Sequence, residues 1–346
     1  MNVTLTYPRE NDLICLHTEA QERFIADDDK RAAFAENMTF HWYALEEQGT
    51  DYSLPLVLRF TYTFSYGEEE QENKGYPFLV LSETPDMKRP AVFAGDEQGC
   101  DVTGLKIGTR YYWRVQKGGV SSGISSFTTQ NVPPRYVRVD GISNVRDAGG
   151  YAVPGGKIRQ GLLYRGGEGE LHMHLTPRGM DDVRTLGIKT EFDMRGEAVG
   201  QVDFTTMELC GVKRILVPEK PYAEVFSPAC RKAVKAFFKA LTKKSNLPMY
   251  YHCWGGADRT GSFAYLLGAF LGMSREDLLY DYELTSLSKW GVRSRNYGQF
   301  KEMERQLSLY PGETLKEKAA AFLLTDIGLT EKELNAIETT FVEKTK

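Results

Sequence analysis

The chain has 346 residues, 41% of them hydrophobic and 26% charged, an ordinary composition for a soluble globular protein of about two domains. A net charge of −4 gives no basic footprint for nucleic acid or an anionic membrane, and no apolar run is long enough to span a bilayer. Five cysteines without a Cys-x-x-Cys pair suggest neither a zinc ribbon nor a disulfide framework; with no signal-peptide pattern at the start, a cytoplasmic location is expected, and a leader cleaved earlier is compatible with the same sequence.

Residues 1–130 are rich in Thr, Tyr, Phe and Ser, and predict short strands at 3–7, 54–64, 78–82, 91–94, 111–116 and 125–128. Turn signals separate these runs, at Gly67, at Pro85 with Asp86, and at Gly118 with Gly119. The pattern predicts an antiparallel, all-β sandwich of immunoglobulin type. Residues 104–115 resemble the strand E to F corner of fibronectin type III domains. That resemblance implies that Leu105 enters the core and that Tyr111 takes the tyrosine-corner place. Residues 20–50 fit this scheme poorly, and 26–31 read as an exposed loop or a short helix. A packing or spacer domain is expected, with a binding module of unknown partner as the alternative.

Residues 130–135, stiffened by Pro133 and Pro134, form the linker to a second domain over 136–346. Residues 144–151 are turn-rich, with Arg146 and Asp147 paired to each other or to backbone. Lys157 follows two glycines, but Ile158 stands where a nucleotide loop needs Ser or Thr for magnesium. Residues 161–166 read as a strand that leaves Arg165 at its end. His172 and His174 lack a neighbouring carboxylate or cysteine and read as loop residues rather than metal ligands. Thr176 caps a helix with Pro177 in its first turn, ending near Leu186 and Gly187. Strands follow at 188–194 and 212–217, then a loop at 218–224. A helix from Ser227 and Pro228 carries its apolar stripe at 230, 233, 234, 237, 238 and 241. Further helices are predicted at 275–286, 304–310, 315–324 and 331–342, with Ser274 and Thr330 as caps, and the basic loop 289–295 is placed at the edge of the pocket. Strands alternating with amphipathic helices predict an α/β domain with a mostly parallel sheet flanked by helices.

Residues 248–261 hold the most specific pattern. Residues 249–251 read as a buried strand, Gly255 and Gly256 suit a tight loop, and 261–273 is apolar almost all round, as in a core helix. Such a loop aims backbone N–H groups and the positive end of a helix dipole at one spot, an anion site. The same groups would favour a thiolate at Cys253, and the planar fork of Arg259 can hold two oxygens of a phosphate. A nucleophile beneath a bound phosphate is the equipment for moving a phosphoryl group onto sulfur; a strand–helix turn with an inert cysteine is the bland alternative. Among cysteines 15, 100, 210, 230 and 253, Cys253 alone is followed by Arg at the sixth position.

Taken together, His252, Cys253, Gly256, Asp258, Arg259, Thr260 and Gly261 resemble the phosphate-binding loop of the cysteine-dependent tyrosine phosphatase superfamily, in the version of its atypical bacterial branch. Residues 144–151 resemble the segment that opens the catalytic domain there, and Arg165 matches an arginine near the active face, an ion pair being the alternative. Asp193, Arg195 and Glu197 resemble another family segment, with Met194 replacing leucine and Glu197 arriving early. The resemblance implies that backbone N–H groups of Trp254, Gly255, Gly256, Ala257, Asp258 and Arg259 hold the phosphate together with the Arg259 side chain. Cys253 would attack and form a cysteinyl-phosphate, Thr260 would hydrogen-bond the sulfur, and His252 would hold the loop base. No metal and no cofactor is implied.

A Trp-Pro-Asp acid loop is absent. Asp258 is therefore the first candidate for general acid, with bracing of the loop as its alternative; Asp193 is second and Glu219 third. Asp193 would otherwise orient Arg259, or simply pair with Arg195. Relatives active on phosphoinositides carry Lys where Ala257 stands, and Trp254 offers a ring for stacking. Phosphotyrosine on proteins, with dual specificity, is the expected substrate, and phosphoinositide or inositol phosphate comes second. A silent phospho-binding adaptor is a reading of another class. Arsenate reduction or sulfur transfer is a third reading, disfavoured by the run Asp258, Arg259, Thr260, Gly261.

Overall fold

In the computed structural model, which describes residues 1–26, 28, 50–67, 75–196 and 203–345, the chain separates into two units. One is Met1–Thr18 with Pro55–Arg135; the other is Glu19–Leu54 with Tyr136–Lys346. The boundary therefore differs from the expected single cut near 130–136. The reason is apolar burial: Phe24, on α1 (Glu19–Ile25), is 2% exposed inside the core of the second unit. Gln21 of the same helix donates to the carbonyls of Tyr52 and Leu54, at 2.8 and 2.7 Å. Most of the loop expected at 26–31 lies outside the described residues.

The first unit holds β1 (Asn2–Tyr7), β2 (Asp12–Ile14), β3 (Leu58–Ser65), β4 (Phe78–Ser82), β5 (Ala91–Ala94), β6 (Gly99–Val102), β7 (Arg110–Lys117), β8 (Val120–Ser121) and β9 (Ser125–Thr129). One sheet runs β1-β3-β6 and is antiparallel. The other runs β2-β9-β7-β4-β5, with β8 on β7, and only its β2–β9 pair is parallel. Alternation of buried and less buried residues along β7 turns Tyr111, Trp113 and Val115 inward. They share one buried cluster with Phe60, Leu79, Cys100, Leu105 and Phe127 from both sheets, and Trp113 meets Phe60 edge-on at 5.0 Å. The Tyr111 hydroxyl accepts from the Lys106 amide at 2.9 Å.

The second unit is built on a sheet of order β10-β11-β14-β17-β15-β16. Its strands are β10 (Arg135–Tyr136), β11 (Arg146–Asp147), β14 (Leu163–Gly166), β15 (Thr190–Asp193), β16 (Lys213–Leu216) and β17 (Met249–His252). β14, β17, β15 and β16 are parallel, but β11 is antiparallel to β14. The sheet is thus mixed, which corrects the expectation of a mostly parallel one. No helix crosses between β11 and β14; the connection is instead a small hairpin, β12 (Ala152–Val153) and β13 (Gly156–Ile158), which pairs with β18 (Val342–Lys344).

Besides α1, the α-helices of this unit among the described residues are α2 (Pro177–Thr185), α3 (Arg231–Leu241), α4 (Asp258–Leu271), α5 (Arg275–Glu283), α6 (Gly298–Ser308), α7 (Leu315–Thr325) and α8 (Glu331–Phe341). Thr176, Ser274 and Thr330 cap α2, α5 and α8, each accepting from the backbone amide three residues on. α6 begins earlier than its predicted 304 because Phe300 and Met303 are buried, and that packing outweighs the glycine in its first turn. Phe237, Tyr251 and Phe263 bring α3, β17 and α4 together, with ring centroids 5.0 to 5.3 Å from Phe237. Among the described residues, no helix is long and apolar enough to cross a membrane.

This topology sets where chemistry can occur. Gly166, Asp193 and His252 lie in register at the carboxyl ends of three adjacent parallel strands, the edge at which α/β sites form.

Candidate active site

β17 is buried along its whole length between β14 and β15, and Cys253 follows it directly, itself 3% exposed. The next residues turn sharply into α4. Gly256 makes the turn at φ +63°, so close to β14 that an added Cβ would lie 2.2 Å from the Gly166 carbonyl oxygen.

The carbonyls of residues 253–256 are each engaged from outside the loop, and that of Ala257 takes the first bond of α4. Cys253 O lies 2.8 Å from His252 Nδ1, Trp254 O accepts from the Glu168 amide at 2.8 Å, and Gly255 O accepts from Asn144 Nδ2 at 2.8 Å. Gly256 O accepts from Arg165 at 2.9 Å, and Ala257 O from the Gly261 amide at 2.8 Å. In a planar trans peptide the N–H points opposite to the C=O. Turning these carbonyls outward therefore turns the amides of residues 254–258 toward the concave side of the loop, and the N-terminus of α4 adds its dipole there.

Thr260 Oγ1 lies 3.3 Å from Cys253 Sγ and donates to it. Burial pushes the thiol pKa up. The charge of Arg259 and hydrogen bonds from Thr260, side chain and backbone, outweigh burial and hold it below the ordinary thiol range. Arg259 donates to the Met194 carbonyl at 3.0 Å, and its guanidinium lies 6.0 Å from the centre of the Trp254 ring. Trp254 also meets His172 at 4.8 Å between ring centroids. The loop residue expected at the mouth thus sits in a small aromatic and cationic cluster.

His252 is fixed behind the loop, with Nε2 2.7 Å from Glu191. Burial lowers its pKa, but the charges of Asp193 and Glu191 and the Glu191 hydrogen bond prevail and push it up to about 9. Its two nitrogens face the Cys253 carbonyl and the Glu191 carboxylate, both acceptors, an arrangement that suits the protonated ring. Asp193 is fully buried, held by Arg195 at 2.9 and 2.8 Å and by Arg214 at 2.8 Å. Burial raises its pKa, yet His252 and Arg195 hold it well below the carboxylate range. Glu191, Asp193 and His252 cluster as metal ligands would, but two guanidinium groups already occupy the Asp193 carboxylate.

Asp258, at the first position of α4, accepts from Arg293 Nε and Nη2 at 2.6 and 2.8 Å and also from the Tyr222 hydroxyl. Burial raises its pKa; Arg293, Tyr222 and Arg259 together hold it below the usual range. Arg293 comes from the basic loop expected at the pocket edge. Arg165 and Arg146, both buried, converge on Asp281 of α5. Asp147 instead accepts from the Gly149 amide at 2.8 Å and the Gly161 amide at 2.6 Å. Glu197, the early family glutamate, lies outside the described residues.

Sequence reasoning did not single out Tyr222, Glu168 or Asp281. Asp281 had a signal, an acid between Leu278, Leu279, Tyr280, Tyr282 and Leu284, where an unpaired charge would not be tolerated. Glu168 had none: it acts by accepting backbone amides of residues 170–173 and presenting its own N–H to Trp254.

Over 170 residues the chain is 32% identical to a protein of Cupriavidus necator named as a tyrosine-protein phosphatase; the match covers 41% of this chain and spans 60% of that relative's length. Among solved structures, the core catalytic domain of the PP-IP phosphatase Siw14 from S. cerevisiae aligns at 15% identity over 46% of this chain and 86% of that one, with a TM-score of 0.33. Tk-PTP in its active form aligns at 15% identity over 44% and 96%, with a TM-score of 0.30. Residues 137–343 match the family described as the tyrosine phosphatase family, a stretch that takes in the mixed sheet from β11 onward, the cysteine loop and α2 to α8, and the chain belongs to that family.

Proposed function

We propose that the chain hydrolyses phosphomonoesters through a cysteinyl-phosphate intermediate. The observation that carries this is the outward engagement of the loop carbonyls from residue 253 to 256, with the start of α4 following at once, which supports a concave side lined with amides around Cys253. In this reading those amides and Arg259 hold the phosphate oxygens while the Cys253 sulfur attacks phosphorus in line. The S–P bond forms as the ester P–O bond breaks. Thr260, already donating to the sulfur, favours it as nucleophile and as later leaving group. Asp193 takes a structural role, because its oxygens are held by Arg195 and Arg214.

Phosphotyrosine on proteins is the substrate we favour. Trp254, His172 and Arg259 offer an aromatic and cationic wall for an aryl ring, and Ala257 adds no cation for a further phosphate. Arg293, from the basic loop 289–295, is engaged by Asp258. For the first unit we keep the reading of a fibronectin III-like accessory module; the shared two-sheet core and the Tyr111 to Lys106 hydrogen bond support it.

The test is phosphate release from phosphotyrosyl and phosphoseryl peptides, phosphoinositides and inositol phosphates. Cys253→Ser is expected to lower kcat/KM by about 10⁴-fold or more, and Arg259→Lys by about 10²- to 10³-fold. Release that persists in Cys253→Ser would remove the hydrolase reading and leave the phosphate-binding adaptor. Preference for a phosphoinositide would overturn the substrate assignment alone.

A further inference from the structure

We propose that Glu219 is the proton donor to the leaving oxygen and, as carboxylate, the base that activates water in the second step. This rests on the hydrolase reading above. Glu219 lies on the loop after β16, at the same carboxyl edge as Cys253. Its amide donates to the Met194 carbonyl at 3.3 Å, and Arg259 donates to that same oxygen at 3.0 Å. One carbonyl thus anchors both the residue and the guanidinium that would hold the phosphate.

The carboxyl group is unusual among the acids of this site. The residue is only 8% exposed. Oε1 accepts from the Lys220 amide at 2.7 Å, whereas Oε2 is buried and takes no nitrogen or oxygen donor among the described residues; the Cys230 thiol is the side chain that hydrogen-bonds the carboxyl. Leaving such an oxygen unpaired is costly, and the bridging oxygen of a bound ester would supply the missing partner. The groups that face it are the Cys230 thiol, Arg259 and Glu224. Burial acts most strongly and pushes the carboxyl up to about 7, against the opposing pull of Cys230, the Lys220 amide and Arg259. At neutral pH it holds a proton in a large share of molecules, and its conjugate base is available after donation.

The other candidates are committed elsewhere. Asp258 forms two hydrogen bonds with Arg293 and a third with Tyr222, so it stays ionised and has no proton to give. Asp193 is held in the same manner by Arg195 and Arg214. Asp258 is thereby assigned as a brace of the α4 start.

The steps balance. Sulfur bonds to phosphorus, the P–O ester bond breaks, and the departing oxygen takes the Glu219 proton. Water then gives a proton to the Glu219 carboxylate as its oxygen bonds to phosphorus, the S–P bond breaks, and thiolate and inorganic phosphate result.

The experiment compares phenyl phosphate, whose leaving group needs a proton, with p-nitrophenyl phosphate, whose leaving group needs it far less, over a range of pH. Glu219→Gln is expected to lower kcat/KM on phenyl phosphate by about 10²-fold or more, and by at least about tenfold less on p-nitrophenyl phosphate. Wild type should lose kcat/KM as pH rises past about 7, because the acid must be protonated, and Glu219→Gln should lack that basic limb. Asp258→Asn should keep the basic limb and lose a similar factor on both esters. Equal losses on both esters in Glu219→Gln with the limb retained, or leaving-group dependence in Asp258→Asn instead, would overturn the assignment. Should Glu219→Gln fail to fold, Glu219→Asp decides: a displaced basic limb supports the proposal and an unmoved one overturns it. Cys253→Ser separates the two readings, since Cys253-independent release defeats the hydrolase reading, whereas full Cys253 dependence with a Glu219-independent limb defeats only this proposal.

Discussion

Gly256 combines a φ of +63° with a Cβ position 2.2 Å from the Gly166 carbonyl oxygen, so no side chain fits without moving the loop away from β14. Gly256→Ala is expected to lower kcat/KM by about 10²-fold or more and to cost about 1–3 kcal/mol of stability, because amides displaced by an ångström no longer meet the phosphate. Steady-state kinetics with a denaturant titration checks this, and wild-type kcat/KM in the variant would contradict the loop's role. At this scale much was legible. Cys253, Gly256, Arg259 and Thr260 lie within one short stretch, so spacing alone brings them together. The partners of the acids were not legible. Asp258 is bound by Arg293, which arrives from the loop after α5, and nothing local marked Glu219 as buried.

Between elements, the cysteine loop is held by its neighbours more than by itself. β14 contributes Arg165, which donates to Gly256 O and pairs with Asp281 of α5; β11 contributes Arg146 to the same carboxylate. Burial raises the Asp281 pKa, but the two arginines hold it below the usual range. Asp281→Ala would leave two buried guanidinium groups without their counter-ion, and is expected to cost about 3–5 kcal/mol. The drop should appear in equilibrium unfolding, with kcat/KM falling as Arg165 loses its fixed position; an unchanged unfolding midpoint would refute the account. The strand and helix on either side of Cys253 were legible because both are apolar nearly throughout. The short strands β2, β6 and β8 were not, since Gly99, Asp101 and their like carry no local strand preference and are paired only by their neighbours. The antiparallel β11 escaped for a related reason: two residues have no period to read.

For the whole molecule, the segment 19–54 is the instructive case. It precedes most of the first unit in sequence yet belongs with the second. Phe24 is buried in that core, and Ser53 Oγ accepts at 2.9 Å from the backbone amide of Asn144, the residue whose side chain holds Gly255 O. Phe24→Ala is expected to destabilise the second unit by about 3 kcal/mol, read as a lower temperature for loss of phosphatase activity than in wild type. An unshifted inactivation temperature would show that 19–54 is not part of that core. By itself the sequence determined the chemistry on offer: a cysteine, a glycine turn, an arginine and a helix start, in an order that local backbone geometry converts into an anion site. The tertiary structure decided the mixed sheet, the placement of Phe24 and Ser53 with the second unit, and which carboxylates are held by arginines. Those depend on partners distant in sequence, and the electrostatics of a buried group are set by whatever the fold packs against it.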